Sequence, residues 1–264
     1  MARKSSETKS PLKDPPLRLA GQSLDEEISR LIDEDAMPYV YSVALVTPLA
    51  LLEWARWYWT FPPAPILYTV FALIAMAACY WKFRVMRSRL HNLRTGRDGE
   101  RFVGQFLETL REDGFRVFHD LQGQESNVDH VLVGPAGIFT VETKTFSKPA
   151  RGNAKVTFDG EHILVNGFRP DRDPVTQARA QANWLRNLVL ESTGRKVAVR
   201  SIVLFPGWWV DPTPASLKPD VWVLEPKALP AFLAHERETL KPEDVKLMSY
   251  HISRYVRKQS KAAF

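Results

Sequence analysis

The chain has 264 residues, enough for one full domain with accessory segments or two small domains. Its hydrophobic fraction of 45% and charged fraction of 25% are ordinary for a folded chain, so the averages exclude neither a soluble nor an anchored protein, and local composition has to decide. The 36 Lys+Arg against 30 Asp+Glu give a formal charge of +6, which favours polyanionic partners such as nucleic acid or anionic lipid, while the lone Cys79 excludes an internal disulfide and fits a reducing compartment.

Residues 1 to about 20 are rich in Lys, Ser and Pro and read as a disordered tail, with no apolar stretch following directly as a secretory signal would require. Leu24, Ile28, Leu31 and Ile32 then recur at helical spacing behind Ser23, a candidate N-cap, so residues 1–36 read as tail plus short amphipathic helix. Residues 37–52 and 65–81 carry no charge at all. Each is close to the roughly 17–25 residues that a spanning helix needs. Between them Trp54, Trp57, Tyr58, Trp59 and Phe61 suit a headgroup interface, and Pro62 and Pro63 suit a turn.

Residues 37–82 therefore read as a membrane anchor, a transmembrane helical hairpin at the N-terminal end of the chain. Lys82, Arg84, Arg87, Arg89, Arg94 and Arg97 follow at once, and the positive-inside tendency keeps that run and everything after it in the cytoplasm. If both apolar segments span, the N-terminus is cytoplasmic as well. If the first, short and broken by Pro48, only lies in the interface, the N-terminus faces outward.

Residues 83–95 read as a basic helical neck ending at Gly96. A new helix is expected from Gly99, with Phe102, Val103, Phe106, Leu107 and Leu110 on one stripe and Gly114 as its stop. The runs FRVFHDL, DHVLVGP and GIFTVETKT read as strands. The last two are separated only by a turn at Gly134, Pro135 and Gly137 and should form an antiparallel hairpin. A second hairpin is expected at KVTFDGEHILVNG, turning at Asp159 and Gly160. Pro174 opens a helix ending near Gly194, VAVRSIVLFPG and VWVL read as buried strands, and two helices at 227–235 and 242–258 close the chain. This order predicts an α/β arrangement with the sheet covered by helices.

The chemistry-bearing constellation is Asp129 on one strand of the hairpin and Glu142 and Lys144 on the other. Alternation along the second strand puts Glu142 and Lys144 on one face, and the tight turn brings Asp129 beside them. Two carboxylates of this kind suit Mg²⁺ or Mn²⁺, hard cations that prefer oxygen ligands, with Lys144 placed to orient a water or neutralise a phosphate. A surface charge ladder on paired strands is the simpler alternative. Glu100 adds a third carboxylate, equally readable as an acidic residue at a helix start. The six His and one Cys show no zinc-ligand spacing, His119 and His130 read as satisfied strand histidines, and no phosphate-binding glycine loop or nucleophile elbow occurs.

The series GRDGE, HDL, NVDHVLVGPAGIFTVETKTFSKPARG and DPVTQARAQANWL resembles the nuclease-related domain (NERD) of the PD-(D/E)xK phosphodiesterase superfamily. The resemblance spans roughly Gly96 to Leu224 and is most specific from Asn127 to Lys144. It implies a restriction-endonuclease-like fold, a mixed sheet flanked by helices, over a domain at residues 96–225 followed by a helical extension at 226–264.

It also implies catalytic roles for Asp129, Glu142, Lys144, Glu100 and Gln177, with the metal held by Asp129, Glu142 and the Thr143 carbonyl. Gln181, one turn beyond Gln177, competes with it for the place near the site. The superfamily's proline ahead of the first acid is replaced by Val128. The function expected is that of a membrane-anchored nuclease of the cytoplasmic membrane, Mg²⁺- or Mn²⁺-dependent, acting on nucleic acid, with DNA placed ahead of RNA. The alternatives are a catalytically silent tethered binding or scaffold module and a basic protein that recognises anionic lipid.

Overall fold

The computed structural model describes residues 17–59, 65–123, 127–148, 154–212 and 219–262. It divides into two compact units, Gln22–Asp98 and a second formed by Gly99–Phe264 together with the segment ending at Gly21.

In the first unit, helix α1 (Gln22–Arg30) passes through a π-helical turn (Leu31–Ala36) into α2 (Met37–Tyr58) without a break. The amphipathic and apolar segments, expected to be separate, are therefore one helical run. Met37 donates its N–H to the Ile32 carbonyl five residues back, just before Pro38, which has no N–H to donate. The widened turn absorbs that loss. Helix α3 (Pro65–Glu108) is likewise continuous through Gly96 and Gly99, where the sequence suggested a neck and a fresh start. A mid-helix glycine costs only about 1 kcal/mol against alanine, which close packing can offset. Leu31, Ala36 and Met86 form a small core with Leu90 packed against it, Glu27 pairs with Arg89 at 2.8 Å, and the Trp54 indole donates to Thr69 Oγ1 at 2.9 Å. Two helical runs, Gln22–Tyr58 and Ile66–Arg111, are long and apolar enough to cross a membrane, and only 11% and 6% of their most apolar windows are buried.

The second unit is built on a five-stranded sheet of β1 (Arg116–Leu121), β2 (Val128–Gly134), β3 (Gly137–Thr143), β6 (Val199–Leu204) and β8 (Val221–Leu224), in that spatial order. The first three strands are antiparallel neighbours and the last two join in parallel, so the sheet is mixed as expected. Gly134 pairs with Gly137 across a two-residue turn, as the hairpin reading required, and Gly137 takes φ +129° there. Alternation sorts the strands into two faces. Leu132, Phe139, Val141 and Ile202 pack with Val103 and Leu107 of α3, with Leu110 in the 3-10 turn that follows it (Thr109–Arg111), and with α5 (Leu229–His235). Val131, Val133 and Ile138 pack with Ala182, Leu185 and Val189 of α4 (Pro174–Thr193) and with Met248, Ile252 and Val256 of α6 (Pro242–Ala262). The C-terminal helices thus supply core side chains to this unit and are not an appendage to it.

The second hairpin forms from β4 (Lys155–Phe158) and β5 (Ile163–Val165). It belongs to a separate three-stranded sheet completed by β7 (Trp209–Val210), a strand the sequence reading did not include. The N-terminal tail needs correction too. Residues 1–16 lie outside the described residues, but Leu17–Ala20 are placed on this unit, and Arg18 is 3% exposed.

Candidate active site

The site forms where β2 starts and β3 ends. The β2–β3 register pairs His130 with Val141, and one step further places Asp129 opposite Glu142. Directly opposed residues of an antiparallel pair share a face, so the two carboxylates look toward the same side of the sheet, the side that α4 covers. Beyond β3 the Lys144 N–H still donates to the Leu204 carbonyl at 2.9 Å, keeping the residue in extended pairing. Its ammonium reaches back to Glu142 Oε1 at 2.6 Å.

Helix α4 organises these charges. Asp173 caps it by accepting from Val175 N at 3.0 Å and Thr176 Oγ1 at 2.7 Å, Pro174 occupies its first turn, and Gly194 ends it at φ +70°. The two competing glutamines, one turn apart, take different partners. Gln177 Oε1 accepts from Lys144 Nζ at 2.9 Å. The Gln181 amide donates to Glu142 Oε2 and to the Asn127 carbonyl. Glu142 is 2% exposed, with one oxygen on Lys144 and the other on Gln181. Gln181 Oε1 is itself buried without a hydrogen-bond partner among the described residues.

Asp129 Oδ2 accepts the Thr143 N–H at 2.7 Å. That bond favours the carboxylate, but burial and the charges of Glu142 and Glu100 act more strongly, and its pKa stands well above the usual aspartate value. Glu100, on α3, is pushed up to about 8 by burial first, then by Asp120 and Glu142, with Lys144 opposing. Glu100 lies within electrostatic reach of Glu142 and Lys144, and Asp129 within reach of Glu142, Glu100 and Lys144. All five residues singled out from the sequence as catalytic are thus brought together.

Two residues beside them were missed. Asp120 falls between the β1–β2 pairs His119–His130 and Leu121–Val128, hence alongside Asp129, at φ +51°. It is 2% exposed and accepts from Arg18 Nε at 2.7 Å. An aspartate inside a strand, where that residue is disfavoured, was the available signal. Nothing near Arg18 in the sequence announced its partner.

On the other face of the same strands a hydrogen-bonded chain runs from Glu108 Oε1 to His119 Nε2 (2.8 Å), from His119 Nδ1 to His130 Nδ1 (2.9 Å), and from His130 Nε2 to Thr143 Oγ1 (3.4 Å). Burial lowers the pKa of both histidines, His130 furthest. With both rings neutral the direction of the chain is determined. The Glu108 carboxylate can only accept, so His119 carries its proton on Nε2, His130 carries its proton on Nδ1, and the Thr143 hydroxyl donates to His130 Nε2. The histidines are satisfied strand residues, as read from the sequence.

Among the described residues no three His, Cys, Asp or Glu side chains are gathered as a ready-made metal-ligand group. The donor set nonetheless fits a hard cation. It is made of oxygens, the carboxyls of Glu100 and Asp129 are pushed toward protonation by burial first and then by neighbouring carboxylates, and the buried Gln181 Oε1 has no partner among the described residues. No curated protein and no solved structure matches this chain. Residues 95–206 match the family model described as the nuclease-related domain, NERD, and that match takes in Glu100, Asp129, Glu142, Lys144 and both glutamines. The chain accordingly carries a domain of the nuclease-related family.

Proposed function

We propose that this protein is a nuclease that hydrolyses phosphodiester bonds of nucleic acid, DNA ahead of RNA, with Mg²⁺ or Mn²⁺, and that its nuclease-related unit works in the cytoplasm at the membrane. The observation that carries the reading is Asp129 opposite Glu142 with the Lys144 ammonium 2.6 Å from Glu142 Oε1. Asp129, Glu142 and the Thr143 carbonyl would hold the cation, which supplies an activated water and neutralises charge developing on phosphorus. Lys144 holds a fixed positive charge at the acidic pair, where it can orient water or offset a phosphate. Gln177 keeps the ammonium in place and Gln181 fixes the Glu142 carboxylate. Glu100, whose proton is held to about pH 8, can accept or return a proton near neutrality.

The membrane part of the proposal rests on the two apolar helical runs, which expose Leu45, Leu49, Leu51, Ile66, Phe71, Leu73 and Ile74 along their length. Contiguous apolar surface of that extent is not stable against water. The arginine-rich run that begins at Lys82 favours a cytoplasmic position for the nuclease-related unit beyond it.

The test uses the full chain in detergent, labelled DNA and RNA, and Mg²⁺ or Mn²⁺. Metal-dependent cleavage that disappears in Glu142→Gln and Lys144→Met is expected, and cleavage that persists in Asp129→Asn and Glu142→Gln would exclude this site. One observation favours a silent tethered binding module instead: both Glu142 oxygens are already satisfied within the protein. Salt-sensitive binding without cleavage in every metal would establish that alternative.

A further inference from the structure

We infer that residues 17–20, which precede both apolar helices in the sequence, are a built-in strap of the nuclease-related unit, so that α2 and α3 cross the membrane as a pair and return the chain to the side it left. The inference rests on the membrane reading above.

Arg18 is 3% exposed and its guanidinium meets Asp120, 2% exposed, at 2.7 Å. Its neighbours Leu17 and Leu19 are exposed, so the segment points its charged side chain inward and its leucines outward. A segment resting loosely on a surface would do the opposite. The fit is close at the next contact also. A Cβ added to Gly104 of α3 would lie 2.7 Å from the Ala20 Cβ, so the helix carries a glycine where the strap passes over it. Asp120 lies alongside Asp129 and helps raise the Glu100 pKa, so Arg18 is the counter-cation for a carboxylate at the edge of the acidic site.

The topological consequence is strict. The chain leaves this unit at Gly21 and re-enters it at Gly99. A segment buried against a domain cannot sit across about 30 Å of hydrocarbon from it. The number of crossings between the two points is therefore even. A single crossing by α3, with α2 lying in the interface and the N-terminus outside, would pull Arg18 away from Asp120. The 22 residues of α2 are long enough to take part, since that many helical residues extend about 33 Å.

The experiment uses the full chain in a Cys79→Ser background. Single cysteines are placed at Ser6, Thr60 or Lys258, and a membrane-impermeant maleimide is applied to right-side-out and inside-out vesicles. Ser6→Cys and Lys258→Cys should label in the same vesicle preparation and Thr60→Cys in the opposite one. Ser6→Cys labelling together with Thr60→Cys overturns the paired crossing. Release of the whole protein by an alkaline carbonate wash overturns the membrane reading itself, and with it the crossing, and so is told apart from a wrong number of spans. The strap has its own arm: Arg18→Met should lower the unfolding temperature, and adding Asp120→Asn should restore most of the loss. Additive losses in the double variant overturn the Arg18 assignment.

Discussion

Gly99→Ala places a methyl group between the two elements that carry Glu100 and Lys144. In an ordinary helix interior this change stabilises by about 1 kcal/mol. Here the added Cβ would stand 1.7 Å from Thr145 Oγ1, 2.8 Å from its Cβ and 3.0 Å from its Cγ2. Unstrained carbon contacts lie near 3.5–4.0 Å, so the shortfall is roughly 2 Å, and the 2.8 Å approach to Cβ means that rotating the threonine side chain cannot remove it. Helix α3 and the chain beyond β3 have to separate. Overpacking of this kind costs about 1–3 kcal/mol, or roughly 2–12 °C in unfolding temperature for a domain of this size. Because Glu100 follows Gly99 and Lys144 precedes Thr145, metal-dependent cleavage should fall with it. Thermal unfolding of the full chain by tryptophan fluorescence measures the first effect. Adding Thr145→Gly, which deletes all three clashing atoms, should recover most of the loss. A Gly99→Ala protein that unfolds at or above the wild-type temperature with unchanged activity would refute the reasoning.

Two further outcomes follow from the electrostatics. Glu100 has a folded pKa of about 8 against an ordinary 4.5, so its contribution to stability is fully present below about pH 4.5 and is lost as pH rises through 8. In chelator, Glu100 should contribute a decline in unfolding free energy over that window of at most about 1.4 kcal/mol per pH unit, added to the decline from Asp129, and Glu100→Gln should reduce the slope. A slope identical in wild type and variant would show that Glu100 is not the titrating group. The histidine chain predicts tautomers: ¹⁵N spectra of histidine-labelled protein at pH 7 should show neutral rings, with the proton on Nε2 in His119 and on Nδ1 in His130. The reverse assignment would mean that Glu108 does not terminate the chain.

The part of the site readable from sequence is the part fixed by local geometry. Pro135 and Ala136 leave room for a turn of only two residues, so the register, and with it the pairing of Asp129 and Glu142, follows from alternation alone. Asp173, Pro174 and Gly194 bound α4 through their own backbone preferences and so carry Gln177 and Gln181 to the site. What could not be read depends on partners distant in the chain. Gly99 resembles the start of a fresh helix until Thr145 is seen against it, and Gly96 the end of a neck until Leu24 is. Arg18 resembles tail until Asp120 is seen to require a cation. β7 is two residues long and exists by pairing with β4, so no periodicity could announce it.

The division of labour between the two glutamines bears on the chemistry more than their order in the motif does. Gln177 grips the amine and Gln181 grips the acid, and both project from one face of a helix held at its start by the Asp173 cap. The separation of Lys144 from Glu142 is therefore set by helical pitch as well as by the strand. Three carboxylates, those of Glu100, Asp129 and Glu142, share this space with the Lys144 amine, and two of them are already pushed toward protonation. A phosphate diester brought to such a place alone would find the Lys144 ammonium already engaged by Glu142. Asp129, Glu142 and the Thr143 carbonyl, as proposed, would hold a divalent ion in place of the proton on Asp129, and the ion would offer the phosphate a positive centre. On the proposed function, metal dependence would follow from this arrangement of charges, and a protein carrying Glu142→Gln should lose metal-dependent cleavage.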